Sequence, residues 1–221
     1  RRLHQNPELS GQEKNTAAYI ADCLRKMGLS PKENIGGYGV TAVVEGKPGG
    51  KCIGLRADFD ALFLQEDTGL PFASQNPGVC HACGHDMHTA MLLGAAKLLK
   101  AHEEELQGTV KLMFQPAEEI FQGSNDMIQA GVLENPKVDA AFMIHVMAGM
   151  PIPAGALLLP SGGISMASCE QYHIHVKGKG GHGSVPHMTI DPITAAAHIH
   201  IALQEINSRE LEGGKFGVFT T

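Results

Sequence analysis

The sequence has no long apolar run, no basic tract and no cysteine framework, and each absence excludes a class of protein. No apolar run approaches the ~18 residues that cross a bilayer, and no signal-peptide pattern is present. The 23 acidic and 17 basic residues are interspersed and leave a net charge of -6, which gives no reason to expect a nucleic-acid partner. Five cysteines, an odd number without the spacing of a disulfide scaffold, favour a reducing compartment, so we expect a cytoplasmic protein.

The composition suits a folded chain. With 221 residues and 43% hydrophobic content, it can form one large domain or one and a half small ones, and no biased segment predicts disorder. The chain opens on Arg1 without an initiator Met, which indicates either that an upstream segment has been removed or that the chain is a piece of a longer protein. A linker-like segment follows Pro160. We therefore place a domain boundary near residue 165 and expect the second domain to be incomplete.

Periodic patterns predict strands alternating with helices. Helical spacing from Thr16 to Met27 follows a capping-box pattern, Ser10 to Glu13, and Gly28 is placed to end that helix. The first domain also has predicted strands at 39–45, 51–57, 109–114 and 138–144 and predicted helices at 89–104 and 124–130. This alternation predicts an α/β fold with a mostly parallel mixed sheet and helices on both faces. Beyond the boundary, the predicted elements are strands at 171–176 and 216–220 and a helix at 191–208.

Two thiols, three imidazoles and a carboxylate lie between Cys80 and His88, directly before a predicted helix. These groups bind zinc-like divalent cations. Cys83 and His85 lie two residues apart in a turn and can reach one cation, whereas Asp86 is better suited to orienting a ligand. Cys80 and Cys83 also form a Cys-x-x-Cys, so a redox pair or a structural zinc corner are alternatives. The interleaved histidines argue against the first, and the lack of a second such motif argues against the second.

Other candidate residues follow predicted strands, and ligands of such sheets bind beyond the carboxyl ends of the strands. Glu118 and Glu119 follow the strand at 109–114. One carboxylate can bind a cation while the other accepts a proton from the attacking water, and the spacing leaves the order of these roles open. His145 follows the strand at 138–144 and is a further candidate ligand.

Asp58 and Asp60 share one side of the strand end after residue 57. Asp60 can bind a cation or support a ligand, and Arg56 can pair with either aspartate. His182 lies among glycines, where nothing local packs against it. We therefore consider it a candidate for contact with a substrate or with a partner subunit.

Together, these motifs strongly resemble the M20 metallopeptidase family, in the amidohydrolase branch that includes hippurate, N-acyl-amino-acid and auxin-conjugate hydrolases. The resemblance is carried by residues 1–9, 56–62, 80–88, 114–119, 145–146 and 180–187, and it spans essentially the whole chain. Two departures stand out. Phe63 takes the place of a proline that relatives usually have, and the family's sequence continues past this C-terminus to complete the lid and supply a last histidine ligand.

The resemblance implies a zinc-peptidase-like catalytic domain, residues 1–165, and a smaller α+β lid that also dimerises, residues 166–221. It implies two divalent cations per subunit, most simply zinc or manganese, with cobalt or nickel also compatible. The implied roles are as follows: Cys83, His85, Glu119 and His145 as metal ligands and Glu118 as general base. His182 resembles a lid histidine that reaches a neighbouring subunit's site and holds the substrate carbonyl or carboxylate.

The activity implied by this resemblance is metal-dependent hydrolysis of the amide bond of an N-acyl or N-aroyl amino acid. A water activated by the cations would attack, and Glu118 would accept its proton. The alternatives are a dipeptidase or an N-acetyl-amino-acid deacetylase of the same architecture and, in another class, a non-catalytic dimerisation scaffold. The sequence leaves the acyl group, the amino acid and the metal undecided.

Overall fold

The computed structural model describes residues 1–160, 162–163, 166, 168–215 and 217–221. These residues form two compact units, 1–150 and 151–221, and each is described by itself. The division into units falls after Met150, ahead of the domain boundary predicted near residue 165. The extents of the two functional domains remain a prediction.

A five-stranded mixed sheet organises the first unit. Its strands are β1 (Lys32–Ile35), β2 (Gly39–Glu45), β3 (Lys47–Asp58), β4 (Gln107–Gln115) and β5 (Ala140–Met143), in the spatial order β1-β2-β4-β3-β5. β3 pairs in parallel with both β4 and β5, whereas β2 is antiparallel to β4 and to β1. The predicted α/β fold with a mixed sheet is confirmed. The three parallel strands bring their carboxyl ends to one edge, where the candidate residues lie.

Helices cover both faces of this sheet, as predicted. The helices of the first unit are α1 (Arg2–Gln5), α2 (Lys14–Lys26), α3 (His85–Ala101) and α4 (Gly123–Gln129), of which α2 and α3 pack on one face of the sheet and α4 on the other. Phe114 of β4 belongs to one buried cluster with Ile20 of α2 and Leu92 of α3. The adjacent Met113 packs in a second cluster with Met127 of α4. Because successive side chains of a strand point to opposite faces, these two clusters lie on the two sides of β4.

The predicted capping box before α2 is wrong, although the predicted helix and its stop are confirmed. The N-cap residue of α2, Glu13, makes no side-chain cap, and the first-turn N–H groups of Asn15 and Thr16 donate to the Glu8 carboxylate instead. The Ser10 hydroxyl instead donates to Asp60, and the Glu13 carboxylate accepts the N–H of Ala117. Both side chains are engaged by the loops that follow β3 and β4, so they do not cap their own helix. At the other end, Gly28 adopts a left-handed φ of 82°.

α3 begins at His85, earlier than the predicted start at Thr89, because the preceding residue is a glycine. Gly84 has φ 83°, and a Cβ placed there would lie 2.4 Å from Val146 Cγ2. Glycine therefore allows the backbone to turn into the helix and to pass close to the segment after β5. As a consequence, His85 and His88 both lie in the first turn of α3. The helix ends at Ala101, and a 3-10 turn, Glu103–Glu105, follows.

In the second unit, α5 (Pro192–Leu203) is capped by Asp191, whose carboxylate accepts the N–H of Ile193. It ends before the predicted limit at 208, and a π-helical turn, Ile206–Glu210, follows. The predicted strand at 171–176 is wrong, because none of the described residues pairs with that segment. Of the predicted strand at 216–220, residue 216 lies outside the described residues and the rest forms no strand.

Within the described ranges, no helix combines the length and the apolar character required to span a bilayer.

Candidate metal centre

The residues predicted to bind metal lie together at the carboxyl edge of the parallel strands. Cys83 precedes α3, His85 opens it, Glu119 follows β4 and His145 follows β5. One atom each from Cys83, His85 and His145 lies within 4.8 Å of the other two, and the same holds for His85, Glu118 and Glu119. His85 belongs to both groups and is therefore the centre of the cluster.

The orientation of His85 is fixed by Asp60. The imidazole is fully buried, and its Nδ1 lies 3.0 Å from Asp60 Oδ1. Burial opposes ionisation of Asp60, but hydrogen bonds from His85, from the N–H of Glu119 and from Ser10 keep the pKa of Asp60 below its usual value. Since an ionised Asp60 can only accept, Nδ1 carries a hydrogen, and in the neutral imidazole Nε2 then presents a lone pair to the cluster. This is the usual arrangement of a metal-binding histidine and its supporting carboxylate.

Cys83 and His145 face each other across the site. Cys83 Sγ lies 3.3 Å from His145 Nε2. His145 Nδ1 lies 2.7 Å from the carbonyl oxygen of Val146, to which it donates, so Nε2 is the nitrogen turned towards the thiol. Burial and the neighbouring carboxylate of Glu119 raise the pKa of the Cys83 thiol to about 12. Without a cation, this thiol therefore keeps its proton at neutral pH.

The two adjacent glutamates differ in exposure. The Glu119 side chain is 19% exposed, and its Oε1 lies 3.6 Å from His85 Nε2. The Glu118 side chain is 33% exposed, and its Oε2 lies 3.9 Å from the same nitrogen. The N–H of Glu119 donates to Asp60 Oδ2 at 2.9 Å. Burial raises the pKa of Glu119, an effect that the neighbouring His85 opposes.

A second chain of hydrogen bonds runs beneath the cluster. Asp58 accepts from Arg56 Nη1 at 2.7 Å, and its Oδ1 lies 2.5 Å from His88 Nδ1. His88 Nε2 in turn accepts the N–H of Val146 at 2.9 Å. His88 therefore links the end of β3 to the backbone immediately after His145. Burial opposes ionisation of Asp58, but the contact with His88 and the Arg56 charge hold its pKa below the usual value.

Asp86 and His182 have their contacts within their own units. Asp86 Oδ2 is 3.0 Å from His4 Nδ1, and it is Asp60 rather than Asp86 that contacts the imidazole of His85. His182 belongs to the second unit, where its exposed imidazole lies 2.8 Å from the Ser184 hydroxyl. The roles predicted for these two residues remain predictions.

The donor set fits a zinc-like divalent cation. Two buried atoms, His85 Nε2 and Glu119 Oε1, have no hydrogen-bond partner in the part of the chain that the structure describes. Leaving buried polar atoms unpaired is costly, and a cation bound by both would remove that cost. Thiol sulfur, imidazole nitrogen and carboxylate oxygen are the ligand types that zinc prefers.

Three participants were not singled out from the sequence: His88, Ser10 and Glu13. For His88 a signal existed, because residues three apart share one face of a helix and His88 lies three residues after His85. Ser10 and Glu13 resembled a local helix cap. Their actual partners lie in the loops after β3 and β4, and the sequence around Ser10 and Glu13 does not indicate them.

Comparison with known proteins places this arrangement in a family. A family model described as Peptidase family M20/M25/M40 matches residues 54–213. The N-acetyl-L-cysteine deacetylase of Bacillus subtilis (strain 168) is 41% identical over 220 residues, which cover 100% of this chain and 52% of the deacetylase. The IAA-amino acid hydrolase ILR1-like 4 of Arabidopsis thaliana is 46% identical over 212 residues, which cover 96% of this chain and 47% of that hydrolase.

Among solved structures, the Bacillus subtilis YXEP protein is described as a dinuclear metal binding peptidase from the M20 family. It matches with a TM-score of 0.65 and 44% sequence identity, over 68% of this chain and 42% of that chain. The fold and the cluster of cysteine, histidine and carboxylate side chains define an α/β domain of the metallopeptidase class. The chain belongs to the peptidase M20 family. It spans about half the length of the curated relatives it matches.

Proposed function

We propose that the protein containing this chain hydrolyses the amide bond of N-acyl or N-aroyl amino acids with the help of two divalent cations. The observation that carries this proposal is the convergence of Cys83, His85 and His145, and of Glu118 and Glu119, around the buried Nε2 of His85. The names of the relatives support the substrate class, because one is a deacetylase of N-acetyl-L-cysteine and another a hydrolase of IAA-amino acids. The dinuclear YXEP protein supports the number of cations.

In this proposal Cys83, His85, Glu119 and His145 hold the cations. Bound cations would polarise the scissile carbonyl and lower the pKa of the attacking water. Glu118 accepts the proton of that water as the oxygen attacks the carbonyl carbon. It returns the proton to the amide nitrogen as the carbon–nitrogen bond breaks, so that a carboxylic acid and a free amino acid leave. The greater exposure of Glu118 than of Glu119 supports this division, because water must reach the base.

The identity of the metal is a separate part of the proposal. A thiol among the donors favours zinc, whereas manganese prefers oxygen ligands, and cobalt or nickel are compatible with the nitrogen and sulfur atoms. Elemental analysis of the gene product that carries this chain, purified without added metal, distinguishes these ions. Hydrolysis that resists a strong chelator would contradict the proposed dependence on metal.

The general base is tested with two neighbouring variants that remove the same charge. Glu118→Gln should lower kcat about 10²–10⁴-fold, because it removes the proton acceptor, while the metal content stays near that of the wild type. Glu119→Gln is the matched variant, and it should lower the metal content as well as the rate. Retained turnover in Glu118→Gln, or lost metal in that variant, would refute the role of Glu118.

A substrate panel separates the proposed activity from its alternatives. The panel contains N-acetyl, N-benzoyl and indole-3-acetyl conjugates of the same amino acids, together with dipeptides. Selective turnover of dipeptides would indicate a dipeptidase, and selective turnover of N-acetyl amino acids would indicate a deacetylase. A metal-loaded protein that hydrolyses none of them would indicate a non-catalytic scaffold and would overturn the proposal.

Homodimerisation and the role of His182 form the last part of the proposal. The exposure of His182 in a glycine-rich segment supports a contact made outside its own unit. If His182 completes the site of a partner subunit, an inactive His182→Ala protein mixed with inactive Glu118→Ala should recover about a quarter of the wild-type activity, because random exchange gives one complete site in each mixed dimer. No recovery after verified subunit exchange would refute a role across subunits.

A further inference from the structure

Glu13 is a fully buried carboxylate that the predicted chemistry leaves without a role. Its side chain is 0% exposed, and one of its oxygens, Oε1, accepts the N–H of Ala117 at 2.8 Å. The other oxygen, Oε2, has no hydrogen-bond partner within the described ranges. Burying a carboxylate is unfavourable unless its contacts compensate. Its hydrogen bond to Ala117, in the loop after β4, is the long-range contact that can give this carboxylate a role.

Ala117 is a strained residue next to the proposed base. Its φ of 51° lies in the left-handed region, which costs a residue other than glycine roughly 1–2 kcal/mol. Its carbonyl accepts the N–H groups of Gln122 and Gly123 at 3.3 and 3.1 Å. Glu13 holds the other side of the same residue. The left-handed turn is thus fixed from both sides immediately before the chain presents Glu118.

The other end of this short loop is fixed by a second buried carboxylate. Asp60 Oδ2 accepts the N–H of Glu119 at 2.9 Å and the hydroxyl of Ser10 at 2.8 Å. Ser10 and Glu13 belong to the same segment before α2. This segment therefore contacts the loop directly through Glu13 and supports its second anchor through Ser10. Glu118 lies between the two fixed amides, those of Ala117 and Glu119, and Glu119 keeps its own anchor at Asp60.

We propose that Glu13 is a positioning residue, which holds Ala117 in its left-handed conformation and thereby aims the carboxylate of Glu118 into the site. The consequence for catalysis rests on the proposed function, whereas the consequence for the backbone does not. The hydrogen bond of the Glu13 side chain joins it to the Ala117 N–H and not to a proposed ligand, so its effect passes through the peptide group of Ala117.

Two variants of Glu13 isolate this role, because both keep the approximate size of the side chain and they differ in whether it can accept a hydrogen bond. Burial raises the pKa of Glu13, so an uncharged side chain is a suitable replacement at this position. Glu13→Gln retains an oxygen that can accept the Ala117 N–H. Glu13→Met fills a similar space with an unbranched apolar chain and offers no comparable acceptor. A role in packing alone predicts that both variants behave alike.

The first measurement is amide hydrogen exchange at Ala117 by NMR, on the gene product that carries this chain. Loss of the acceptor should speed exchange about tenfold or more in Glu13→Met, whereas Glu13→Gln should stay close to the wild type. The second measurement is kinetic. A misdirected base should lower kcat of Glu13→Met roughly 10–100-fold with little change in KM or in zinc content, and Glu13→Gln should restore most of the rate.

A second-site change separates positioning from packing. Glycine adopts a positive φ without strain, so Ala117→Gly should recover roughly fivefold or more of the lost kcat in the Glu13→Met background. Exchange at Ala117 that is equally slow in all variants would overturn the proposal, and so would the absence of recovery by Ala117→Gly. If the wild type hydrolyses no substrate, the proposed function fails, and the exchange comparison alone decides whether Glu13 holds the turn.

Discussion

Asp60→Asn tests how the site orients its central imidazole. Asp60 Oδ1 lies 3.0 Å from His85 Nδ1, while Oδ2 accepts from Ser10 Oγ at 2.8 Å and from the Glu119 N–H at 2.9 Å. An asparagine has one oxygen and one NH2 group. Because two donors face the Oδ2 position, the oxygen is expected there, and the NH2 group then faces Nδ1. The imidazole would accept at Nδ1 and carry its hydrogen at Nε2, the atom that a cation needs.

The expected loss of zinc affinity is the 10–100-fold typical of removing such a supporting partner, or about 1.4–2.7 kcal/mol. Competition for zinc between the metal-free protein and a chromophoric chelator at fixed pH measures it. Asp86→Asn is the matched control, since it removes the same charge but contacts His4 rather than His85, and its zinc affinity should stay close to that of the wild type. Wild-type affinity in Asp60→Asn, or equal weakening in both variants, would refute the reasoning.

Three further predictions follow from the geometry and charges of the first unit. Burial and nearby carboxylates raise the pKa of Cys83 to about 12, so zinc binding at neutral pH should release roughly one proton from this thiol. Calorimetry in buffers of different ionisation enthalpy measures this release, and detecting none would contradict the prediction. Hydrogen bonds, above all from the Thr68 hydroxyl, lower the pKa of Glu66 from 4.5 to about 2. Glu66→Gln should therefore lower the free energy of unfolding above pH 4.5, and its difference from the wild type should fade as the pH falls towards 2. A difference in the free energy of unfolding that is independent of pH in denaturant titrations would contradict this prediction. Gly84→Ala should lower the free energy of unfolding by at least about 1–2 kcal/mol, because φ is 83° and the new Cβ would lie 2.4 Å from Val146 Cγ2. A loss within about 0.5 kcal/mol in chemical denaturation would show that the backbone relaxes there and would contradict the prediction.

The parts of the fold that the sequence could predict depend on local pattern. β2, β3, β4 and β5 overlap the four predicted strands, because runs of apolar residues bounded by turn residues identify buried strands without reference to their partners. The approximate positions of Glu118 and His145 follow from the same argument, since both come directly after a strand that enters the sheet. Local pattern also predicted a strand at 171–176, but none of the described residues pairs with that segment. Whether such a segment forms a strand depends on a pairing partner, and the local sequence does not identify that partner.

The sequence indicated Asp60 as a possible support for a ligand and Arg56 as a partner of an aspartate, but it could not predict which residues the other supporting contacts join, because those residues lie far apart in the chain. Glu13 and Ala117 are 104 positions apart, and Asp60 and Glu119 are 59 apart. Asp86 shows the limit of proximity along the chain. Its place beside His85 in the sequence suggested a partner for the metal ligands, but on the helix it turns towards His4, and the partner of His85 comes from the loop after β3.

The central claim is that the sulfur of Cys83, the imidazoles of His85 and His145 and the carboxylate of Glu119 share bound metal. Anomalous diffraction at the zinc edge, from crystals of the zinc-loaded gene product, tests it most directly. We expect a peak at about 2.3 Å from Cys83 Sγ or about 2.0–2.1 Å from His85 Nε2. An anomalous map with its zinc peaks elsewhere, or with none in contact with these four side chains, would contradict it.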